Sequence, residues 1–227
     1  LLDNFELDDS SGTNIYRNRF GNGKGGISTF FGRMQPPTVG HGMMMEQAMF
    51  QALKTGGDMS IFTPLFGGKD ARSPIPLQQR LASIFEAKGI RANGAANAYT
   101  IFDALKLAGY KDVQRIIGAN DMGSDSFAKA AKSRGMNSFL MGVDRPDGGV
   151  SGTGVRQAAM SGSMEAMRAA GFMGGSPRTA AAIMRSIMLH RNAGGSIYKT
   201  GSHPIVPGVG STDTVPAMLT PGEFVIN

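Results

Sequence analysis

Cysteine and tryptophan are absent from this chain of 227 residues, and histidine occurs three times. The lack of cysteine excludes disulfides, thiolate metal sites and a cysteine nucleophile, and it is compatible with a cytosolic origin without requiring one. No apolar run reaches the roughly 18 residues of a membrane span, so no membrane partner is expected. The opening segment, Leu1 to Ser11, is acidic and polar and does not read as a signal peptide. A dense basic run is missing too. The 23 Lys and Arg are scattered, without interleaved aromatics, although the net charge is +6 and the pI is near 9.8. That balance suits anionic small ligands or partners, and specific nucleic-acid recognition has only the pI behind it.

Hydrophobic residues make up 41% of the chain, enough for the core of one α/β domain with extensions. Sixteen methionines point to soft, adaptable packing. Residues 1–25 read as an irregular leader lying along another surface, and residues 26–191 as the folded domain. Residues 192–227 read as a Gly/Pro-rich tail, flexible or extended on a partner. Within the domain, strands are expected at Ile27–Phe31, Met59–Thr63, Val113–Ile117 and Ser138–Val143. Helices are expected at Gly42–Lys54, Ile75–Lys88 with Pro76 in its first turn, and Asn97–Ala108 with Gly109 as C-cap. Further helices follow at Asp125–Ser133, Thr153–Ser161, Met164–Ala170 and Pro177–His190. Alternating strands and helices predict a Rossmann-like parallel sheet covered on both faces, with ligands at the carboxyl ends of its strands.

The segment carrying most information is Phe31-Gly32-Arg33-Met34-Gln35-Pro36-Pro37-Thr38-Val39-Gly40-His41. It joins the first strand to the first helix. A helix start offers N–H groups and a positive dipole end to an anion, and the His41 imidazole adds a donor. A second candidate, Val150-Ser151-Gly152-Thr153-Gly154-Val155-Arg156, opens a later helix.

Together these segments resemble the nucleotidyltransferase superfamily marked by a T/HxGH motif and a distal Ser-x-Thr-x-x-Arg-like motif. The order of supporting segments is similar to that of the cytidylyltransferase-like proteins of large myophages. These are Ser73 to Leu77, Ala98 to Leu105, Gly109 to Val113 and Ile117 to Asp121. The resemblance covers nearly all of residues 26–191. It implies that Thr38, His41 and Arg156 act at the phosphates, with Ser151 and Thr153 beside Arg156. It also implies that Gly32, Arg33 and Gly40 shape the nucleotide site and that Gly118 and Asp121 lie near the nucleoside. Lys69 is a further candidate for the phosphates. The expected ligands are Mg²⁺ with ATP or CTP and a small phosphorylated acceptor that receives AMP or CMP. The chain departs from the superfamily pattern with Thr at position 38 and Met122 where a basic residue is usual. Gly152 and Gly154 loosen the second motif.

The tail, and above all Asp213-Thr214-Val215-Pro216-Ala217-Met218-Leu219-Thr220-Pro221-Gly222-Glu223-Phe224-Val225, resembles a segment of bacteriophage tape measure and other virion proteins. With Leu rather than Met at position 1, this implies a piece of a larger tail-type structural polypeptide. Its place would be in a virion or in host cytoplasm during assembly, with leader and tail against neighbouring subunits. Two readings therefore stand side by side: an active transferase, or a catalytically silent structural component that keeps the fold.

Other residues have plainer readings. Met43 to Met45 are expected in the core, and Asp103 and Asp112 in solvent. Lys106, Lys111 and Arg115 are expected on an ordinary basic face, and His190 and His203 in structural roles.

Overall fold

The structure is a computed structural model that describes residues 15–19, 26–68, 71–119, 126–144 and 150–192. Its strands are β1 (Asn18–Arg19), β2 (Ile27–Phe31), β3 (Asp58–Pro64), β4 (Ala92–Ala95), β5 (Asp112–Gly118) and β6 (Asn137–Val143). Its helices are α1 (Val39–Thr55), α2 (Leu77–Lys88), α3 (Ala98–Leu107) and α4 (Ser126–Ser133), then α5 (Gly152–Ala159), α6 (Met164–Ala169) and α7 (Pro177–Asn192).

Five strands run parallel in the order β4-β3-β2-β5-β6. The chain builds outward from β2 to β4, then returns across the sheet to β5. The strand order therefore reverses between β2 and β5, where ligands bind in doubly wound folds. The fold is α/β and Rossmann-like, as expected.

Each face of the sheet has its own core. Met44, Met45, Ala48 and Ala52 of α1 pack with Ile84 of α2 on Phe30, Met59, Ile61 and Ile116. Ile101, Phe102 and Leu105 of α3 pack with Ala130 and Ala131 of α4 on Ile27, Phe62 and Val113. A third cluster joins α5, α6 and α7 through Val155, Ala159, Met167, Phe172 and Ile183. Fully burying one such Met or Ile stabilises by about 1.5–3 kcal/mol. No described helix is long and apolar enough to cross a membrane.

Two strands were not expected. β4 is Ala-Asn-Gly-Ala, with no β-branched residue, and it forms because it adds to β3. Asn93 secures it by donating to Ser60 Oγ at 3.0 Å and to the Ile61 carbonyl at 3.2 Å. β1 comes from the expected leader and pairs antiparallel with β3. Just before it, Ile15 is buried in the core on the α3 side, and the Tyr16 N–H donates to Asn93 Oδ1 at 2.7 Å. Residues 1–14 and 193–227 lie outside the described residues, as do Asn120 and the tape-measure-like string.

Two side-chain placements are corrected. Arg115 is not on a basic face. It lies on the inner side of β5, 6% exposed, with its guanidinium 4.3 Å from the centre of the Phe127 ring. β-strand alternation points it under α4, and burial lowers its pKa to about 10. Met44 and Met45 are core residues, but Met43 falls on the outer side of α1 and is 38% exposed. Asp103 is exposed as expected, yet it holds the Arg134 guanidinium in a two-pronged ion pair.

Candidate functional site

The turn between β2 and α1 leaves the sheet at the point where the strand order reverses. Met34 is the only non-glycine residue with a positive φ among the described residues, at 51°, and its side chain is fully buried. A left-handed non-glycine backbone is uncommon and is sustained by the packing that pins it. The next peptide bond but one, Gln35–Pro36, is cis. The turn is then tied to the segment before α7. Val39 N–H donates to the Gly171 carbonyl at 2.9 Å, and Met173 N–H donates to the Pro37 carbonyl at 3.1 Å.

Thr38 is the N-cap of α1, and His41 stands at the third helical position. His41 reaches back, and its Nδ1 accepts from the Thr38 N–H at 3.1 Å. This is a capping box with His in the place usually held by Glu or Gln. A backbone N–H can only donate, so Nδ1 is the acceptor and the neutral ring carries its proton on Nε2. Thr38 Oγ1 is 2.7 Å from the same Nδ1, and Thr38 is only 1% exposed. The structure thus places Thr38 beneath His41, with its hydroxyl turned to the ring.

The second motif meets the first. Ser151 caps α5, accepting from the Gly154 N–H at 3.0 Å. Arg156 donates through Nη1 to the Gln35 carbonyl and through Nη2 to Thr153 Oγ1 at 3.0 Å. A Cβ added at Gly152 would sit 3.1 Å from the Gln35 carbonyl oxygen and 3.4 Å from Arg156 Nη1. The glycine there permits the close approach of α5 to the turn. A Cβ at Gly40 would lie 4.0 Å from the Val150 carbonyl oxygen, so the starts of α1 and α5 are neighbours. A Cβ at Gly32 would come within 2.6 Å of the Phe30 ring and 3.1 Å of the His41 ring. Gly118 ends β5 two residues beyond Ile116, the partner of Phe30, and so sits level with Gly32 on the adjoining strand.

The electrostatics favour an anion. Burial lowers the Arg156 pKa, and the nearby positive charge of Arg33 lowers it further. Both hydrogen-bond acceptors of Arg156 are neutral, and its Nε is buried without a partner. Two cations held near one another beside two helix starts make a site for a multiply charged anion. The donor set does not suit a divalent cation. It consists of guanidiniums, hydroxyls, an imidazole and N–H groups, and no metal-binding cluster occurs among the described residues.

Of the expected site residues, the structure brings together Gly32, Arg33, Thr38, Gly40, His41, Ser151, Thr153 and Arg156, with Gly118 on the next strand. Asp121, Lys69 and Met122 lie outside the described residues. Two residues given no role from sequence belong to the site's frame. Gln35 pairs its side chain with both backbone groups of Ile75, at 2.9 and 2.8 Å. Arg80 is fully buried in α2. Its signal was in the spacing: Arg80 is four residues before Ile84, on the apolar side of the helix. No family model and no curated protein matches this chain.

Proposed function

We propose that residues 26–191 form a nucleotidyltransferase-like domain that binds MgATP or MgCTP at the reversal point of the sheet. The reaction is transfer of AMP or CMP to a small phosphorylated acceptor. An acceptor phosphate oxygen attacks the α-phosphorus, the bond to the β-phosphate bridging oxygen breaks, and pyrophosphate leaves. The chain's part is positioning and charge stabilisation. Arg156 and Arg33 neutralise the leaving phosphates, His41 donates from Nε2, and the starts of α1 and α5 supply N–H groups. The observation that carries this reading is the convergence of both motifs on one point, where Arg156 of α5 donates to the Gln35 carbonyl of the first turn.

The tape-measure-like tail supports a second reading within the same molecule. The domain then serves as architecture in a phage tail-type virion protein, held between neighbouring subunits by leader and tail, without turnover. Calorimetric titration of the full chain with MgATP and MgCTP separates the two. Micromolar binding that is lost in Arg156→Gln is the outcome expected of a working site. Absence of binding by either nucleotide would leave only the architectural role.

A further inference from the structure

Arg80 heads the fully buried side chains of the described residues by size. Its Nη1 donates to Thr63 Oγ1 at 2.5 Å and to the Arg33 carbonyl at 3.3 Å. Its Nη2 donates to the Pro64 carbonyl at 2.7 Å and to the Phe66 carbonyl at 3.0 Å. Its Nε is buried without a partner. All four acceptors are neutral, and desolvation lowers the pKa to about 10. Buried arginines ordinarily face a carboxylate, because a lone charge in the interior is costly.

The acceptors are the last two residues of β3, Thr63 and Pro64, together with Phe66 just beyond it and Arg33 just beyond β2. Arg80 therefore ties the phosphate turn to the β3–α2 loop. The packing leaves no slack, since a Cβ at Gly67 would lie 2.7 Å from Gln35 Nε2 and 3.1 Å from Arg80 Nη2. From Arg80 the connections run through the Arg33 carbonyl into the turn, and from the Gln35 carbonyl to Arg156.

We propose that Arg80 is a positioning residue of the anion site. Acting through the Arg33 carbonyl, it holds the turn and places beneath it a permanent positive charge that a bound polyphosphate completes. This rests on the reading that the site takes a nucleoside triphosphate. The two roles separate by substitution. Arg80→Lys keeps the charge and a donor for the Arg33 carbonyl but cannot span all four acceptors. Arg80→Met keeps neither.

The test is titration of the full chain and both variants with MgATP, alongside thermal unfolding without ligand. Both variants should unfold at lower temperature. Arg80→Met should weaken MgATP binding by about tenfold or more, while Arg80→Lys stays within about threefold of the parent. The inference is overturned if folded Arg80→Met binds as the parent does, or if Arg80→Lys loses as much affinity as Arg80→Met. Should Arg80→Met fail to fold, Arg80→Lys decides: retained affinity on a less stable fold supports the role, and a tenfold loss sinks it. A parent chain that does not bind MgATP overturns the triphosphate reading and this inference together. Binding by the parent that Arg80→Met leaves unchanged overturns this inference alone.

Discussion

At the scale of the residue, His41 joins a helix cap that the structure shows to the phosphate role proposed for it, one for each ring nitrogen. Nδ1 closes the start of α1 by accepting from the Thr38 N–H, which leaves the proton of the neutral ring on Nε2, the nitrogen proposed to meet an anion. Removing the ring therefore weakens the fold as well as the site. His41→Ala should cost about 1 kcal/mol of stability, the usual value of a lost helix cap, as read by denaturant titration. His41→Glu offers a cleaner separation. Glutamate at the third helical position accepts the same N–H, and its charge suits a helix start. It should unfold within about 2 °C of the parent, less than one kcal/mol in a chain of this size. The same carboxylate repels a triphosphate, so MgATP binding should be abolished. Nucleotide binding by His41→Glu at the parent's affinity would count against a phosphate role for the imidazole. The Pro-Pro-Thr-x-Gly-His context marks His41 as a helix-start residue, and it stands at the third position of α1. The burial of Thr38 is not legible there, because that context does not tell that residues 171–173 close over the turn.

At the scale of the element, the α7 start shows how a helix is placed by a distant carboxylate. Glu86 of α2 accepts from the Ser176 N–H at 2.7 Å and from Thr179 Oγ1 at 2.9 Å. The Ser176 N–H is the main cause that holds the Glu86 carboxyl below its ordinary pKa. A carboxyl depressed in the folded state contributes stability above its unfolded pKa and loses it as pH falls through the folded value. Glu86→Gln should therefore unfold at a lower temperature than the parent at pH 7, and the gap should close as pH drops below about 4. A gap that persists undiminished at pH 3 would assign it to packing rather than charge. The same dependence on distant partners separates the legible elements from the rest. α3 announces itself through Asn97 and Thr100, which cap each other across its first turn, and Gly109 follows it at a φ of 89°. β4 announces nothing. Gly94 leaves room for Leu65 and Leu77, whose methyl carbons would stand 2.5 and 2.9 Å from a Cβ there, and its pairing is supplied wholly by β3. Arg115 shows the same limit: a basic residue between Gln114 and Ile116 looks solvent-facing until the sheet turns it onto Phe127.

At the scale of the whole molecule, the sheet is completed from both ends of β3's outer edge. β4 covers the later residues, Ile61 to Pro64, and β1 covers Asp58 and Met59. Composition alone places the beginning of the domain near Gly26, where the Gly-rich stretch ends. The contacts place it earlier. Ile15 is 5% exposed within the core on the α3 side. The Tyr16 carbonyl accepts from Ser60 Oγ at 3.0 Å and from Asn93 Nδ2 at 3.1 Å. Arg17 donates to the Tyr110 hydroxyl at 3.4 Å, and that hydroxyl in turn donates to buried Asp58. A chain starting at Gly26 loses the contacts of Ile15, Tyr16 and Arg17 and keeps only the Tyr110–Asp58 hydrogen bond. Exposing the site of one core isoleucine costs about 1.5–3 kcal/mol before any hydrogen bond is counted. At about 2–4 °C per kcal/mol for a domain of this length, the shortened chain should unfold some 5–10 °C below one starting at Asn14. Differential scanning calorimetry of the two chains makes the comparison. Equal midpoints would mean that residues 15–19 rest on a sheet that is already complete, and that the composition boundary is also the energetic one. A shift of the expected size would make β1 part of the scaffold that holds β3, and through Thr63 and Arg80 part of what holds the anion site.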